Sequence, residues 1–163
     1  MKKVIFIGKT GSGKTTLCQR LHQEDLKYKK TQSVEIYDES IDTPGEYLEN
    51  KFYYKALIVT SADASVIALV YDCTVEEAYF PPGFSSMFAR ETIGIVTKID
   101  LGDEKQIERA EEKLKEAGVN KIFKVDTLSD YGISELINYI SKWQVRRWLC
   151  GRRIIKCWYR YRN

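Results

Sequence analysis

The stretch that decides the fold is Gly8-Lys9-Thr10-Gly11-Ser12-Gly13-Lys14-Thr15. It directly follows the apolar run 4–7 and directly precedes the helix-compatible segment 16–22, which is the context that the pattern G-x-x-x-x-G-K-[S/T] requires. The glycines leave room for phosphate oxygens, and successive backbone N–H groups can point into one concavity. A glycine-rich turn that binds nothing would need neither this context nor the terminal Lys-Thr pair. The stretch therefore predicts a phosphate-binding loop.

The residue types at the end of this loop match the groups of a nucleoside triphosphate. Lys14 can reach the β- and γ-phosphates as a point charge, and the Thr15 hydroxyl is placed to bind a Mg²⁺ that bridges those phosphates. The expected nucleotide-binding residues of this segment are Gly8, Lys9, Thr10, Gly11, Ser12, Gly13, Lys14, Thr15 and Thr16.

Length and composition exclude several other classes of protein. The 163 residues suit one ordinary domain with its own core, and no apolar run approaches the ~20 residues of a membrane span. The apolar run after Met1-Lys2-Lys3 is too short for a signal peptide. The four cysteines lack metal-ligand spacing, and the single histidine, His22, cannot complete a Cys/His site nearby. We therefore expect a cytosolic protein with reduced thiols and no transmembrane segment.

Charge is divided unequally along the chain. The net charge is +3, yet residues 143–163 hold six arginines, one lysine and no acidic residue, which leaves 19 basic and 23 acidic groups in residues 1–142. We expect a nucleotide-binding domain over 1–142 and a basic, aromatic C-terminal extension over 143–163. An anionic surface, RNA or an acidic partner would suit the extension, and a helix packed on the core is the alternative.

A second motif, Ile41-Asp42-Thr43-Pro44-Gly45, ends a short strand. Asp42 would then lie at a strand's carboxyl end, where open α/β sheets bind their ligands. Its carboxylate is expected near the Mg²⁺, and Gly45 would let a backbone N–H approach the γ-phosphate. An Asx turn followed by Pro-Gly explains the residues one at a time, but not their position after a phosphate-binding loop.

Strands and helices alternate along residues 1–142, which predicts an α/β fold. The expected architecture is a three-layer P-loop NTPase with a mostly parallel, doubly wound, six-stranded sheet and helices on both faces. The expected strands are 2–7, 34–37, a short strand ending near Asp42, 65–71, 93–96 and 121–125. The expected helices are 14–24, 49–61 with an apolar face of Phe52, Ala56, Val59 and Thr60, 103–117, and 133–143 with an apolar face of Ile133, Leu136, Ile137 and Ile140.

The segment 73–92 is the least regular part of the domain. Pro81-Pro82-Gly83 breaks any helix there, which leaves Phe80, Phe84, Met87 and Phe88 on or around a loop. Apolar residues on a loop favour either a lid folded onto the body or a docking surface, and the sequence leaves both open.

A third motif, Thr97-Lys98-Ile99-Asp100, follows the strand expected at 93–96. The Asp100 carboxylate can accept hydrogen bonds from the N1–H and N2–H₂ edge of guanine, whereas adenine offers an acceptor at N1 and no 2-amino group. Because unpaired buried polar groups are costly, such a site would reject ATP. The Lys98 stem would lie over the base.

Taken in chain order, the phosphate-binding loop, Asp42-Thr43-Pro44-Gly45 and Thr97-Lys98-Ile99-Asp100 resemble the motifs of a Ras-like small GTPase. The resemblance implies a switch I between Lys14 and Thr31, with Thr31 on the Mg²⁺, and a switch II that begins at Asp42.

More narrowly, the chain resembles the EutP/PduV family, the small P-loop proteins of bacterial ethanolamine and propanediol utilisation. The stretches that carry this resemblance are 9–16, 30–35, 42–47, Phe80-Pro81-Pro82-Gly83-Phe84 with Ser86-Met87-Phe88, and 97–101. The resemblance implies a cytoplasmic bacterial protein of small amine or diol catabolism, with a microcompartment shell as an expected location. An acetate-kinase-like activity has also been attached to this family.

Three features depart from the Ras-like pattern. Glu46 stands where those proteins carry the glutamine that orients attacking water, and a carboxylate beside a γ-phosphate is unfavourable unless it is protonated or linked to Mg²⁺. The Ser-Ala pair that supports guanine reads Asp126-Thr127 here. No arginine stands close enough in sequence to nominate an arginine finger. We therefore expect slow intrinsic hydrolysis.

The leading hypothesis is a guanine-nucleotide-binding protein with weak GTP hydrolysis, acting as a switch or accessory factor in ethanolamine or propanediol utilisation. Its expected cofactors are Mg²⁺ and GTP or GDP, with ATP as the alternative. The expected Mg²⁺ residues are Thr15, Thr31 and Asp42. The expected catalytic residues are Lys14, Thr31 and Glu46. The expected nucleotide-binding residues beyond the loop are Gly45, Thr97, Lys98, Asp100, Asp126 and Thr127.

Two other hypotheses stay open on the sequence. An ATP-dependent small-molecule kinase of the acetate type would use the same loop to pass the γ-phosphoryl group to a carboxylate. A microcompartment interaction protein would hold nucleotide as a structural ligand, and would bind shell proteins or catabolic enzymes through the Phe80–Phe88 loop and the basic extension.

Overall fold

A six-stranded sheet forms the centre of the protein. The computed structural model describes residues 3–21, 35–36 and 40–150, with the backbone alone for 35–36 and 143–150. The strands are β1 (Lys3–Ile7), β2 (Glu35–Ile36), β3 (Ser40–Asp42), β4 (Ala64–Asp72), β5 (Glu91–Thr97) and β6 (Lys121–Lys124). Their order in the sheet is β2-β3-β1-β4-β5-β6. All neighbours pair in parallel except β2, which is antiparallel to β3, so the expected mostly parallel α/β sheet is confirmed.

Helices cover both faces of this sheet. They are α1 (Lys14–Leu21), α2 (Glu46–Glu49), α3 (Tyr54–Ser61), α4 (Glu104–Glu116) and α5 (Ile133–Cys150), with short 3₁₀ turns at Lys51–Tyr53 and Phe84–Met87. Among the described residues, no helix is long and apolar enough to cross a membrane.

The alternation of side chains along β4 creates the two halves of the core. Ile67, Leu69 and Tyr71 pack with residues of α2, α3 and α4 on one face. Val66, Ala68 and Val70 pack with residues of α1 and α5 on the other. Because both faces of the strand are covered, β4 is a nearly continuous apolar run, as a parallel strand buried on both sides must be.

The expected single helix over 49–61 is wrong, and so is its expected apolar face. The chain forms α2, a 3₁₀ turn and α3 instead, because Asn50 is extended and its side chain accepts a hydrogen bond from Phe52 N at 3.0 Å. Because of this interruption, α3 turns different side chains toward the core than one continuous helix would. Phe52 and Val59 are consequently 90% and 72% exposed, whereas Leu57 is buried in the core.

The Phe80–Phe88 loop is folded onto the body. Phe80, Phe84 and Phe88 are buried in the same cluster as α4, so these three side chains cannot serve as the exposed docking surface that was one of two expectations. The loop is fastened to the end of α4, since Gly83 N donates to Glu116 O at 2.8 Å and Ser85 N donates to Ala117 O at 2.9 Å. It thereby satisfies carbonyl groups that a helix end leaves without partners.

The last two helices begin where the sequence predicts, but α5 extends beyond its expected end at 143 to Cys150. Helix α4 begins after a capping box between Asp103 and Gln106, and Gly118 follows its end with φ +89°, as expected of a C′ glycine. On α5, Ile133, Leu136 and Ile140 are buried while Ile137 is partly exposed. The backbone of α5 continues through residue 142, so the expected boundary with the C-terminal extension lies inside a helix. Residues 151–163 lie outside the described residues, as do 22–34, which include Thr31.

Candidate nucleotide-binding site

The segment between β1 and α1 forms the expected tight loop. Gly11 and Gly13 adopt φ values of +81° and +91°, which glycine tolerates and other residues rarely adopt. Ser12 N donates to Lys9 O at 3.1 Å within the turn. The loop leads directly into the N-terminus of α1, where backbone N–H groups and the helix dipole favour an anion.

Lys14 is folded back over this loop. Its Nζ donates to Gly8 O and Lys9 O, both at 2.9 Å, and the residue is only 5% exposed. Burial lowers the pKa of Lys14 to about 8, although the nearby carboxylates of Asp42 and Glu49 act in the opposite direction. The site therefore holds a desolvated ammonium group, which an anionic ligand would stabilise.

Thr15 and Asp42 are brought together as expected. Thr15 Oγ1 donates to Asp42 Oδ2 at 2.7 Å, because the β1–β3 register places Asp42 opposite Phe6, just before the loop. Thr43 ties the same two strands by donating from Oγ1 to Phe6 O at 2.6 Å. A hydroxyl and a carboxylate at this distance are oxygen donors of the kind that Mg²⁺ prefers, so the two described residues of the expected set fit that ion.

Gly45 lies against the phosphate-binding loop. A Cβ atom at this position would collide with the backbone of Thr10, so the close packing of the Asp-Thr-Pro-Gly segment depends on glycine. Helix α2 starts immediately after it, with the exposed Glu46 as its first residue.

Two carboxylates contact the loop in a way that sequence reasoning missed. Glu49 accepts a hydrogen bond from Thr10 N at 3.0 Å. That bond is the main reason why the pKa of Glu49 is lowered. The charges of Lys9 and Lys14 lower it further, whereas burial acts in the opposite direction. Glu77 forms an ion pair with Lys9 at 2.8 Å. Glu49 and Glu77 are both far from the loop in the sequence, and no pattern of residue spacing predicts their contacts with it.

The third motif begins with a residue that supports the loop. Thr97 is buried, and its Oγ1 donates to Ser12 O at 2.8 Å and to Tyr71 O at 3.2 Å. Thr97 was expected among the nucleotide-binding residues. The structure shows its hydroxyl bound to the loop backbone, so it positions the loop.

Lys98 and Asp100 follow at the carboxyl end of β5. Lys98 has a positive φ of +58°, and its Nζ pairs with Asp72 Oδ2 at 2.5 Å. Asp100 is exposed in a turn that Leu101 N closes by donating to Lys98 O at 3.0 Å. The motif therefore presents a fixed lysine beside an accessible carboxylate.

The loop after β6 is organised by Asp126. Its two carboxylate oxygens accept from Leu128 N at 2.8 Å and from Ser129 N at 3.0 Å. Burial opposes its ionisation, but hydrogen bonds from Ser129 and Leu128, with the charge of Arg20, hold the pKa of Asp126 below its usual value. The partly buried Thr127 accepts from Arg20 Nε at 2.7 Å through its carbonyl. These contacts hold the loop beside α1.

A loop of this type, fastened to the ends of parallel strands, gives the chain a P-loop fold of the kind found in the Ras-like GTPases. A solved structure of Methanosarcina barkeri Roco2 RocCORdC bound to GDP matches it with a TM-score of 0.61 and 20% identity. The match covers 86% of this chain and 48% of that chain, so the chain spans about half the length of that protein, and the likeness concerns the fold.

The sequence identifies the family more closely. The model for the PduV-EutP family of ethanolamine and propanediol utilisation matches residues 1–142, and the chain belongs to this family. It is 39% identical to the propanediol utilization protein PduV of Citrobacter freundii, over 86% of this chain and 94% of that protein. It is 31% identical to the probable acetate kinase EutP of Escherichia coli K12, over 86% of this chain and 90% of that protein.

Proposed function

We propose that this protein binds guanine nucleotides, hydrolyses GTP weakly, and acts as a switch or accessory factor in bacterial ethanolamine or propanediol utilisation. The observation that carries the proposal is the hydrogen bond from Thr97 Oγ1 to Ser12 O. It fastens the loop expected to hold the phosphates to the motif expected to read the base. A ligand with a triphosphate at one end and a guanine at the other fits such a pair.

The phosphates would be held by the Gly11–Lys14 backbone and the Lys14 ammonium group. Mg²⁺ would be held by Thr15, by Asp42 through water and by Thr31, and it would neutralise charge on the β- and γ-phosphates. Gly45 would bring its backbone N–H toward the γ-phosphate, and the base would meet Lys98 and Asp100. A cytoplasmic location, with association to a microcompartment, belongs to the same proposal.

Slow hydrolysis is expected because Glu46 is the residue that would face the attacking water. Glu46 is the exposed first residue of α2, and its carboxylate would repel a γ-phosphate where a glutamine would not. No arginine of the phosphate-binding loop or of α2 supplies a compensating charge. A partner or a second subunit would have to provide it.

The test is equilibrium binding of Mg²⁺-GTP and Mg²⁺-ATP by calorimetry, with wild type and Asp100→Ala. Hydrogen bonds to a charged group are worth about 1.5–3 kcal/mol each, so the loss of two should weaken GTP binding by about 100-fold or more. ATP binding should not change. Asp63→Ala is the matched control. Asp63 is an exposed aspartate directly before the first residue of β4, at the end of the strand away from the candidate site. An ATP preference that ignores Asp100 would overturn the assignment.

A second candidate is an ATP-dependent kinase of the acetate type. The observation in its favour is the Glu49–Thr10 hydrogen bond, because it shows that a carboxylate is accommodated at the edge of the phosphate-binding loop. In that reaction a carboxylate oxygen would form a bond to the γ-phosphorus while the bond to the β–γ bridging oxygen breaks, giving acetyl phosphate and ADP. Acetate-dependent production of ADP and acetyl phosphate would favour this candidate.

A third candidate is a microcompartment interaction protein that retains nucleotide as a structural ligand. The exposed side chains of Phe52, in the 3₁₀ turn after α2, and of Val59, on α3, with the basic extension, would then contact shell proteins or catabolic enzymes. Tight nucleotide retention with negligible turnover would favour it over the other two.

A further inference from the structure

Asp72 is a buried carboxylate at the carboxyl end of β4 that belongs to none of the expected motifs. It is 4% exposed. The β4–β5 register places it opposite Thr97, so it lies beside the residue that follows, Lys98. Lys98 Nζ pairs with its Oδ2 atom at 2.5 Å.

The surroundings of Asp72 hold its carboxylate in place independently of Lys98. Its Oδ1 atom accepts from Thr74 N at 3.0 Å and from Thr74 Oγ1 at 2.7 Å. Its backbone N–H donates to the Tyr79 hydroxyl at 2.9 Å, and that hydroxyl donates to Val70 O at 3.3 Å. Tyr79 is itself stacked on Tyr71 with ring centroids 4.5 Å apart. Asp72 is thus held in place by its own contacts, and the ammonium group of Lys98 is bound to it.

We propose that Asp72 is a positioning residue for base binding, which holds the Lys98 ammonium group so that the lysine stem lies ready against a purine ring. The inference rests on the proposed function of Lys98. A free lysine side chain has many rotamers, and the Asp72 pair restricts that freedom before the ligand arrives. Asp72 therefore acts on affinity for the base, and not on affinity for the phosphates.

The experiment compares two probes that share the phosphate chain. Mg²⁺-GTP reports on the base and the phosphates together, while Mg²⁺-tripolyphosphate reports on the phosphate-binding loop alone. Asp72→Asn should weaken GTP binding about tenfold, the size expected when most of the pre-ordering of Lys98 is lost. Tripolyphosphate binding should stay unchanged. Thr74→Val, which removes one hydrogen bond to Asp72, should shift GTP binding in the same direction by less.

Two further variants separate a positioning role from general damage. Glu76→Gln removes a charge from the same loop at an exposed side chain, and both probes should bind it as they bind wild type. In a Lys98→Met background, Asp72→Asn should add no further loss of GTP affinity, because its effect passes through Lys98. Equal losses for GTP and tripolyphosphate, or losses that add in the double variant, would overturn the proposal.

The outcomes also distinguish this inference from the proposed function. Should wild type bind GTP no more tightly than tripolyphosphate, there is no base site, and both proposals fail. Should wild type prefer GTP while Asp72→Asn and Thr74→Val bind it normally, only the role of Asp72 fails. Should wild type prefer ATP, the guanine assignment fails, and a tenfold loss of ATP affinity in Asp72→Asn would still support the positioning role.

Discussion

The carboxylate of Glu49 accepts a hydrogen bond from the backbone N–H of Thr10 at 3.0 Å, which holds helix α2 against the phosphate-binding loop. A triphosphate in the loop would therefore approach a carboxylate. We predict that Glu49→Gln binds Mg²⁺-GTP about three- to tenfold more tightly than wild type at low salt, since the repulsion between two unit charges about 4 Å apart in water is about 1 kcal/mol. The gain should be smaller for GDP and should shrink at high salt. Calorimetry at two salt concentrations measures both effects.

Glu91→Gln is the control for that prediction, because Glu91 is an exposed glutamate at the start of β5, at the other end of the strand from the site. An equal gain in both variants would mean that net charge alone is responsible. Weaker GTP binding in Glu49→Gln would instead show that the α2 contact helps to form the site.

The lowered pKa of Lys14 predicts a pH dependence of binding. In the free protein this pKa is about 8, because burial disfavours the charged form. A bound phosphate stabilises the ammonium group and raises the pKa, so binding takes up a proton wherever free Lys14 is neutral. Affinity for GTP should therefore fall as the pH rises above 8. Calorimetry in buffers of different ionisation enthalpy should detect uptake of most of one proton at pH 8.5 and little at pH 7; equal uptake at both would contradict this account.

The lowered pKa of Lys14 also affects the stability of the free protein. The folded-state pKa of Lys14, about 8, lies below the ordinary value of 10.5, so a charged Lys14 disfavours folding. That penalty is fully present below pH 8 and is relieved as the pH rises from 8 toward 10.5. A Lys14→Met variant should lose this rise in the free energy of unfolding.

Gly45 should tolerate no side chain. In Gly45→Ala the new Cβ would meet the backbone of Thr10, so either α2 or the phosphate-binding loop must move. We predict that the free energy of unfolding falls by about 1–3 kcal/mol, as in other overpacked sites, and that GTP affinity falls as well. Gly83→Ala is the control, since its Cβ would meet nothing within 4 Å. It should cost only the strain of a positive φ, about 1 kcal/mol, and should leave GTP affinity unchanged.

Thr97 should influence phosphate binding without touching the phosphates. Thr97→Val removes the donor to Ser12 O and Tyr71 O, which should lower the free energy of unfolding by about 1–2 kcal/mol and weaken Mg²⁺-tripolyphosphate binding. Thr97→Ser keeps the hydroxyl and should retain most of both properties. Thermal unfolding and calorimetry would test the pair, and identical behaviour of the two variants would contradict the role of the hydroxyl.

The parts of the structure that the sequence predicts well are those governed by local patterns. The phosphate-binding loop depends on glycines and a Lys-Thr pair within eight residues, and the buried strands depend on short apolar runs. The pairing of Thr15 with Asp42 follows from one further step, because Asp42 ends β3 and Thr15 lies in the first turn of α1, after the loop that follows the neighbouring parallel strand β1.

The parts that sequence reasoning misses depend on long-range contacts or on one interrupting residue. The phase of α3 is set by the Asn50 cap, which breaks a pattern that looks continuous in the sequence. Glu49 and Asp72 contact Thr10 and Lys98 only because the folded chain brings α2 and β4 next to those residues. The carboxylate oxygens of Asp126, a predicted nucleotide-binding residue, accept hydrogen bonds from the N–H groups of its own loop, and the motif comparison does not reveal these bonds.

The hydrogen bonds between the Phe80–Phe88 loop and the end of α4 should make local opening of this loop rare. The amide hydrogens of Gly83 and Ser85 are bonded to α4 carbonyls, and the neighbouring phenylalanines belong to the main core cluster. Opening this irregular segment requires breaking both bonds and exposing buried phenylalanine side chains, so the amide hydrogens of Gly83 and Ser85 should exchange with solvent slowly. A stretch that looks like a surface loop in the sequence would then exchange more slowly than an ordinary exposed loop.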